Sequence, residues 1–145
     1  MKNMYAFLTR LGERFRFRKQ PVISVDDPEL RVVVAAFDET EAASAALARS
    51  EHWQPPLPAV LRHHLRIPGH RVAAAEELLA ADGWTLRRSD LQESETGTEL
   101  TAVVALRVQV LDALHCSQES SRMAGLAQRL DGRAVGWDAL QPDAG

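Results

Sequence analysis

Cross-linking residues are scarce in this sequence. Cys116 is the only cysteine among 145 residues, which excludes an internal disulfide and a cysteine-based zinc knuckle and permits a reducing compartment. No apolar run approaches the roughly 20 residues that a transmembrane helix needs. Aromatic residues make up only 6% of the chain, but hydrophobic residues make up 46% and charged residues 26%, as in soluble globular proteins. The composition therefore excludes a disordered chain, a collagen-like fibre and a disulfide scaffold, and the length suits one domain.

Lysine is also scarce, and its distribution reveals a basic N-terminal segment. Both lysines lie within residues 1–20, which carry six basic side chains and one acidic one, whereas the rest of the chain carries 11 and 19. Apolar residues recur at helical spacing in this segment and arginines occupy another side, a pattern that predicts a basic amphipathic helix. Such a segment binds an anionic membrane, docks on its own domain or is frayed. We expect membrane or partner contact through Phe7, Leu8, Arg10, Leu11, Arg14 and Phe15.

Turn-forming residues divide the chain after this segment. Pro21 and Asp26-Asp27-Pro28 end the basic segment, which we place at residues 1–28. A single α+β domain is expected over residues 29–142. It consists of an additional strand–helix unit, residues 29–58, and a core that occupies the remainder of the domain, residues 59–142.

A strand–helix unit occurs three times along the domain. The predicted strands are Arg31–Phe37, Val60–Ile67 and Ala102–Leu111. The predicted helices are Asp38–Arg49, His70–Ala81 and Ser117–Leu130. Shorter strands are expected to begin at Trp84 and Val135, and the polar, acidic residues 89–98 predict a solvated loop between strands.

Local sequence signals set the expected helix ends. Asp38 and Glu41 have the spacing of a capping box, which predicts that the first helix starts at Asp38. Asp82-Gly83 and Asp131-Gly132 are expected to end the second and third helices, because glycine accepts the left-handed backbone conformation that follows many helices.

The order of elements predicts the architecture of the core. From Ala59 to Leu140 the order is β-α-β-β-α-β, which is typical of a ferredoxin-like two-layer sandwich. Right-handed crossovers place both helices on one face of a four-stranded antiparallel sheet, with the two long strands side by side. Trp84 and Trp137 occupy equivalent positions in the two halves, and we expect both to anchor the layer between helices and sheet. The sequence does not show where the additional unit docks.

Side chains alternate across each predicted strand, and this alternation predicts a basic sheet face. In the strand Val60–Ile67, the largely apolar set is Leu61, His63, Leu65 and Ile67. In the strand Ala102–Leu111, the apolar set is Val104, Leu106, Val108 and Val110. If both sets face the helices, the opposite face collects the polar residues of three strands. We expect this face to form a partner-binding surface that consists of Arg62, His64, Arg66, Arg87 and Arg107.

A basic sheet face is compatible with several partners. It could engage an acidic protein, RNA phosphates, or the acidic loop of a second copy in a dimer. RNA-binding sheets of this topology stack bases on aromatic side chains, which this face lacks. The alternative is a surface in contact with solvent or covered by the additional unit.

Histidine and cysteine raise two chemical alternatives. His63 and His64 are neighbours in a strand, so their side chains diverge and cannot chelate one ion together. Cys116, beside His115, lies near the expected start of the third helix, where a thiolate could be stabilised. No phosphate-binding glycine loop, paired acid–base motif or Gly-x-Ser-x-Gly motif occurs. We therefore assign no catalytic residue, metal or cofactor, and keep as an alternative a small dimeric enzyme with a pocket lined by His63, His70 or Cys116.

Three short stretches carry a resemblance to a known family. They are Leu61-Arg62-His63-His64-Leu65, Ala81-Asp82-Gly83-Trp84 and Gly136-Trp137-Asp138. With them, the segment Leu61–Leu140 resembles the ribonuclease E inhibitor RraB family. The resemblance implies a small cytoplasmic ferredoxin-like protein that binds and does not catalyse, since the founding members bind the endonuclease and restrain RNA turnover. The chain departs from the family pattern at Ala134-Val135, where a Tyr-Asp pair is expected, in its basic tail and additional unit, and in lacking strongly acidic ends, so no functional residue is carried over individually.

These patterns together lead to one expected function and one further alternative. We expect a cytoplasmic, non-enzymatic regulator that binds a protein partner, with a ribonuclease as the partner that the resemblance implies. The alternative is a peripheral membrane or membrane-complex accessory protein that is held by the basic N-terminal helix.

Overall fold

The structure, a computed structural model, describes residues 22–89 and 99–143 of the chain. Within these residues, five strands and three helices form an α+β fold in which the helices cover one face of a single antiparallel sheet. The predicted basic helix and all but the first residue of the predicted loop 89–98 lie outside the described residues.

The observed elements follow the predicted order. The strands are β1 (Leu30–Ala36), β2 (Pro58–Pro68), β3 (Thr85–Arg88), β4 (Leu100–Val110) and β5 (Arg133–Pro142). The helices are α1 (Ala43–Ala48), α2 (Val72–Ala81, preceded by a 3-10 turn over Gly69–Arg71) and α3 (Ala113–Arg129). α3 begins earlier than predicted, because the Asp112 side chain accepts a hydrogen bond from the His115 backbone N–H and caps the helix there.

β2 is the central strand of the sheet, whose order is β1-β5-β2-β4-β3. It pairs antiparallel with β4 over its whole length, from Pro58 opposite Val110 to Pro68 opposite Leu100. The prediction that the two long strands lie side by side is therefore confirmed. β1 pairs antiparallel with the outer edge of β5, and α1 packs against α3. The additional unit thus docks by extending both the sheet and the helix layer.

The main core fills the space between the helices and one face of the sheet. From β2 it takes Leu61, Leu65 and Ile67, which are fully buried as the alternation predicts. Trp84 and Trp137 are 3% and 4% exposed and belong to the same cluster. Their predicted role as core anchors is therefore confirmed.

The first helix is shorter than predicted, and the prediction of a capping box at its start is wrong. The Asp38 carboxylate accepts hydrogen bonds from the Thr40 backbone N–H at 2.9 Å and from the Thr40 hydroxyl at 2.7 Å, which closes a turn. Glu41 accepts from the Arg49 guanidinium and caps no backbone group. Because these local bonds hold residues 38–41 outside the helix, α1 begins only at Ala43.

A second, smaller apolar cluster lies on the face of the sheet that is turned away from the helices, which we call the open face. The segment that precedes β1, residues 22–29, packs on this face, and we call it the strap. Ile23 of the strap is 7% exposed and packs with Val60, Val104 and Leu106. Both faces of β2 and β4 are therefore covered at this point.

The strap explains why the predicted faces of β4 are wrong. In the observed register Arg62 pairs with Leu106, and Leu61 pairs with Arg107. Leu106 therefore lies on the open face with Ile23, and Arg107 lies on the helix face. The prediction assumed that apolar side chains face only the helices, whereas the apolar set of β4 faces the side that the strap partly covers.

Glycine is required at position 132, after α3, because of close packing and not because of the predicted left-handed backbone conformation. Asp131, and not Gly132, takes the left-handed conformation, with φ of 62°. Gly132 lies against β2, where a Cβ atom would overlap the Arg66 carbonyl oxygen and approach the Ile67 Cδ1 atom to 2.9 Å. At the end of α2 the prediction is confirmed, because Gly83 has φ of 83°.

Gly132→Ala should lower the free energy of unfolding by about 1–3 kcal/mol, because β2 or the chain after α3 must shift to admit the methyl group. Gly125→Ala is the matched control, since it lies within α3 and its new Cβ would meet no atom within 4 Å. That substitution should raise the free energy of unfolding by about 0.5–1 kcal/mol, as expected for alanine in a helix interior. Urea denaturation measures both values, and the same change for both variants would contradict the close approach.

Candidate functional site

The candidate site is a charged network at the centre of the open face. β2 places Arg62 and His64 on this face, and β5 places Asp138 opposite Arg62. The Arg62 guanidinium donates to both carboxylate oxygens of Asp138, with an Nε–Oδ1 distance of 2.7 Å and an Nη2–Oδ2 distance of 2.5 Å. The His64 Nε2 atom lies 3.0 Å from the Asp138 Oδ1 atom. We call Arg62, His64 and Asp138 the triad.

Asp138 is the buried member of the triad. Its side chain is 7% exposed, against 27% for Arg62 and 14% for His64. Burial by itself raises the pKa of this carboxyl, but hydrogen bonds from His64 and Arg62, together with the Arg62 charge, outweigh burial and hold the pKa below its usual value. Asp138 is therefore ionised at neutral pH and fixes the positions of two side chains that reach the surface.

Phe37 forms the rim of the site. Its ring is tilted against the His64 ring, with centroids 5.3 Å apart, and the residue is 48% exposed. Gly136, opposite His64, makes room for it, since a Cβ there would lie 2.5 Å from the Phe37 ring. Phe37 and Asp138 are site residues that were not predicted from the sequence. Asp138 follows the inward-facing Trp137 and could have been found by alternation. Phe37 was predicted as the last residue of the first strand but lies beyond the observed end of β1, where alternation no longer sets the direction of its side chain.

The remaining arginines of the open face differ in their partners. Arg87 in β3 donates to the Asp26 carboxylate of the strap, with an Nη1–Oδ1 distance of 2.5 Å. Arg66 is half-buried in β2, and no hydrogen bond or ion pair joins its side chain to the part of the chain that the structure describes. Carboxylates thus neutralise Arg62 and Arg87. The predicted basic surface is a face of mixed charge.

Arg107 takes no part in this site, and the prediction that it joins the basic surface is wrong. It lies on the helix face, where its Nη2 donates to the Glu119 Oε1 atom at 2.7 Å. Its Cζ atom lies 4.0 Å from the centroid of the Trp84 ring, a cation–π contact. The Gln109 amide donates to the same Glu119 carboxylate. Arg107 therefore compensates a buried acid at the margin of the main core.

The cysteine and the other predicted histidines do not join the triad. His63 is 2% exposed and packs edge-on against Trp84, and its Nε2 atom has no hydrogen-bond partner in the described part of the chain. Burial, together with the nearby positive charges, lowers the pKa of His63 to about 3. Cys116 is fully buried, and burial raises the pKa of its thiol to about 12, which disfavours the thiolate that a nucleophile needs. His70 is exposed in the 3-10 turn before α2.

A cavity of about 360 Å³ opens beside the site, between the β1–α1 loop and α3. Two of the carboxylates that line it, those of Asp38 and Glu41, already have bonding partners within the chain. His63, His70 and Cys116 do not line it, so it is not the pocket that the enzyme alternative requires. Within residues 22–89 and 99–143, no three His, Cys, Asp or Glu side chains are grouped so that they could hold a metal ion.

The second predicted contact region lies outside the described residues. It consists of Phe7, Leu8, Arg10, Leu11, Arg14 and Phe15. Among the helices that the structure describes, none is long and apolar enough to cross a bilayer.

Arg107→Ala tests the corrected position of this residue. Glu119 is 7% exposed, and without the guanidinium it keeps the Gln109 amide as a donor but loses its countercharge. We expect the free energy of unfolding to fall by about 1–3 kcal/mol. Arg122→Ala, at an exposed position of α3, should change it by less than about 0.5 kcal/mol. Urea denaturation compares the two, and equal stability would contradict the assignment of Arg107 to the helix face.

His63 should make the protein sensitive to acid. Its pKa is about 3 in the folded chain against 6.5 for an exposed histidine, so below pH 6.5 the unfolded chain binds a proton that the folded chain excludes. The free energy of unfolding should be independent of this group above pH 6.5 and fall by about 1.4 kcal/mol per pH unit below it, until the folded pKa is reached.

His63→Leu should remove this contribution, because the apolar side chain binds no proton in either state. His52→Leu, at an exposed position, should retain it. Urea denaturation of both variants between about pH 4 and pH 7 measures the slopes. Parallel profiles for the two variants would show that His63 is not the group responsible.

In comparisons with known proteins, the chain matches no family model, no curated protein and no solved structure.

Proposed function

We propose that the protein is a non-enzymatic regulator that binds a protein partner through the open face of a ferredoxin-like sheet. The strand order β5-β2-β4-β3, antiparallel throughout and with α2 and α3 on one face, supports the ferredoxin-like assignment. β1 adds a fifth strand beside β5. In the part of the chain that the structure describes, the helices leave the opposite face of the sheet uncovered, and the strap covers only part of it.

The observation that carries the proposal is the cluster of Phe37, His64 and Arg62, which the buried Asp138 holds in place. Arginine and aromatic side chains are the types that contribute most at protein interfaces. Asp138 already restricts Arg62 and His64, and the His64 ring supports Phe37. These side chains therefore lose little conformational freedom when a partner binds, which favours affinity.

Charge compensation favours a protein over RNA as the partner. Affinity for nucleic acid grows with the number of phosphates that cationic side chains neutralise. On this face Asp138 pairs with Arg62, and Asp26 pairs with Arg87. RNA-binding sheets of this topology also stack bases on aromatic rings that the strands carry, whereas Phe37 lies beyond the end of β1.

The resemblance of Leu61–Leu140 to the RraB family supplies the first partner to examine, an endonuclease of the ribonuclease E type. The stretches that carry this resemblance contain all three members of the triad, Arg62 and His64 in the first stretch and Asp138 in the third. On this proposal the protein is cytoplasmic and restrains RNA cleavage by occupying a surface of the endonuclease.

Phe37→Ala and Arg66→Glu should each weaken binding to the ribonuclease E-type endonuclease of the same organism at least about tenfold, which corresponds to about 1.4 kcal/mol. The first substitution removes the exposed aromatic anchor, and the second reverses the charge of a cation that has no described partner. Isothermal titration calorimetry measures the affinity, and the rate of RNA cleavage with and without the protein measures the regulation. Urea denaturation should show that neither variant loses much stability, since both side chains are partly exposed.

Leu114→Ala and Arg122→Glu are the matched controls, because both residues are exposed on α3, away from the open face. Both should bind as the unaltered chain does. Absence of binding by the unaltered chain would overturn the endonuclease as the partner. Binding that responds equally to all four substitutions would overturn the open face as the contact surface.

A further inference from the structure

The strap shows what the apolar part of the open face accepts. Ile23 is 7% exposed and packs against Val60, Val104 and Leu106 of β2 and β4. Val25, two residues later, packs against the edge of the same cluster. A short extended segment with an aliphatic side chain is thus already seated on this surface.

A carboxylate completes the contact. Asp26, three residues after Ile23, accepts hydrogen bonds from both terminal nitrogens of Arg87, at 2.5 and 3.3 Å. The ion pair is exposed, with 69% of the Asp26 side chain accessible. Residues 22–29 form no strand or helix, so no ladder of backbone hydrogen bonds ties them to the sheet. One aliphatic anchor and one exposed ion pair are the main attachments, and a competing segment can therefore replace the strap.

Apolar surface continues beyond the strap. Val108 and Val110 in β4 lie on the same face and are 38% and 48% exposed, and Val32 in β1 is 46% exposed. An occupant that is longer than the strap would cover these side chains as well. The open face therefore offers more contact area to another molecule than the strap uses.

We infer that this surface recognises an extended segment with a β-branched or leucine anchor followed, three residues later, by a carboxylate. The strap is the chain's own copy of such a segment, and a partner protein binds by replacing it. The inference rests on the proposed function in taking the competing segment to belong to the partner. The chemistry of the segment itself is argued from the contacts of Ile23 and Asp26.

The test uses the full chain with Ile23→Ala. It also uses a synthetic peptide of residues 22–30, Val-Ile-Ser-Val-Asp-Asp-Pro-Glu-Leu, which contains the strap and Leu30. Peptide titration is followed by the NMR resonances of Val60 and Leu106. Binding should be saturable and at least tenfold tighter to the Ile23→Ala chain than to the unaltered chain, because the intact strap competes at high effective concentration. Val22→Ala, at a fully exposed residue next to the anchor, should behave like the unaltered chain.

Peptide variants test the proposed chemistry. A peptide with Ile23→Ala should bind the Ile23→Ala chain at least fivefold more weakly than the original peptide, and a peptide with Asp26→Asn about two- to fivefold more weakly. Equal affinity of the original peptide for altered and unaltered chains, or indifference to both peptide changes, overturns the inference. If the Ile23→Ala chain is unfolded, the Asp26→Asn chain loosens the strap without touching the apolar cluster. It should then bind the original peptide about two- to fivefold more tightly than the unaltered chain does, and equal affinity overturns the inference.

The peptide experiment contains no endonuclease, so its failure is distinct from failure of the proposed function. If the endonuclease binds and the peptide does not, the partner uses the triad and Phe37 but not the strap surface. If the peptide binds as expected and the endonuclease does not, the recognition site stands and the partner is a different protein.

Discussion

The register between β2 and β4 is the constraint on which the rest of the structure depends. It places Leu61 beside Arg107 on the helix face and Arg62 beside Leu106 on the open face. At these positions each face therefore receives one apolar and one cationic residue. A half-buried cation is stabilised by a countercharge, and a buried leucine needs apolar cover. Glu119 supplies the countercharge on the helix face, and the strap supplies the cover on the open face.

The two consecutive histidines show how strictly this register separates the faces. The His63 side chain faces the helices and is 2% exposed, without a partner for its Nε2 atom among the described residues. It is neutral at physiological pH. His64 lies on the open face, where it contacts the Asp138 carboxylate and supports the Phe37 ring. One neighbour is therefore a packing residue, and the other belongs to the candidate site, because adjacent side chains in a strand point to opposite faces.

Periodicity within the sequence was sufficient to predict the strands, because runs of β-branched residues and alternation are local signals. The order of the elements was sufficient to predict the pairing of the two long strands. Periodicity failed for Arg107, since alternation defines two faces of a strand but not what covers each face. The cover came from Ile23, in a segment too short to show a period. The predicted surface is of mixed charge for a related reason, as Arg62 is compensated by Asp138, 76 residues away in the sequence. The predicted helix start at Asp38 is wrong because the Asp38 side chain forms a turn with Thr40, which competes with a helix cap.

Compensated charge changes how the open face can select a partner. Net positive charge attracts any anion, whereas Arg62 and Arg87, each already paired, favour a partner whose groups fit the existing pairs. An exposed ion pair such as Arg87–Asp26 contributes at most about 1 kcal/mol, so affinity at the strap surface must come mainly from the anchor side chain that replaces Ile23. The carboxylate then acts on specificity, because a segment with a cation at that position would face Arg87 with a like charge. Affinity and specificity on this face therefore reside in different side chains of the same short segment.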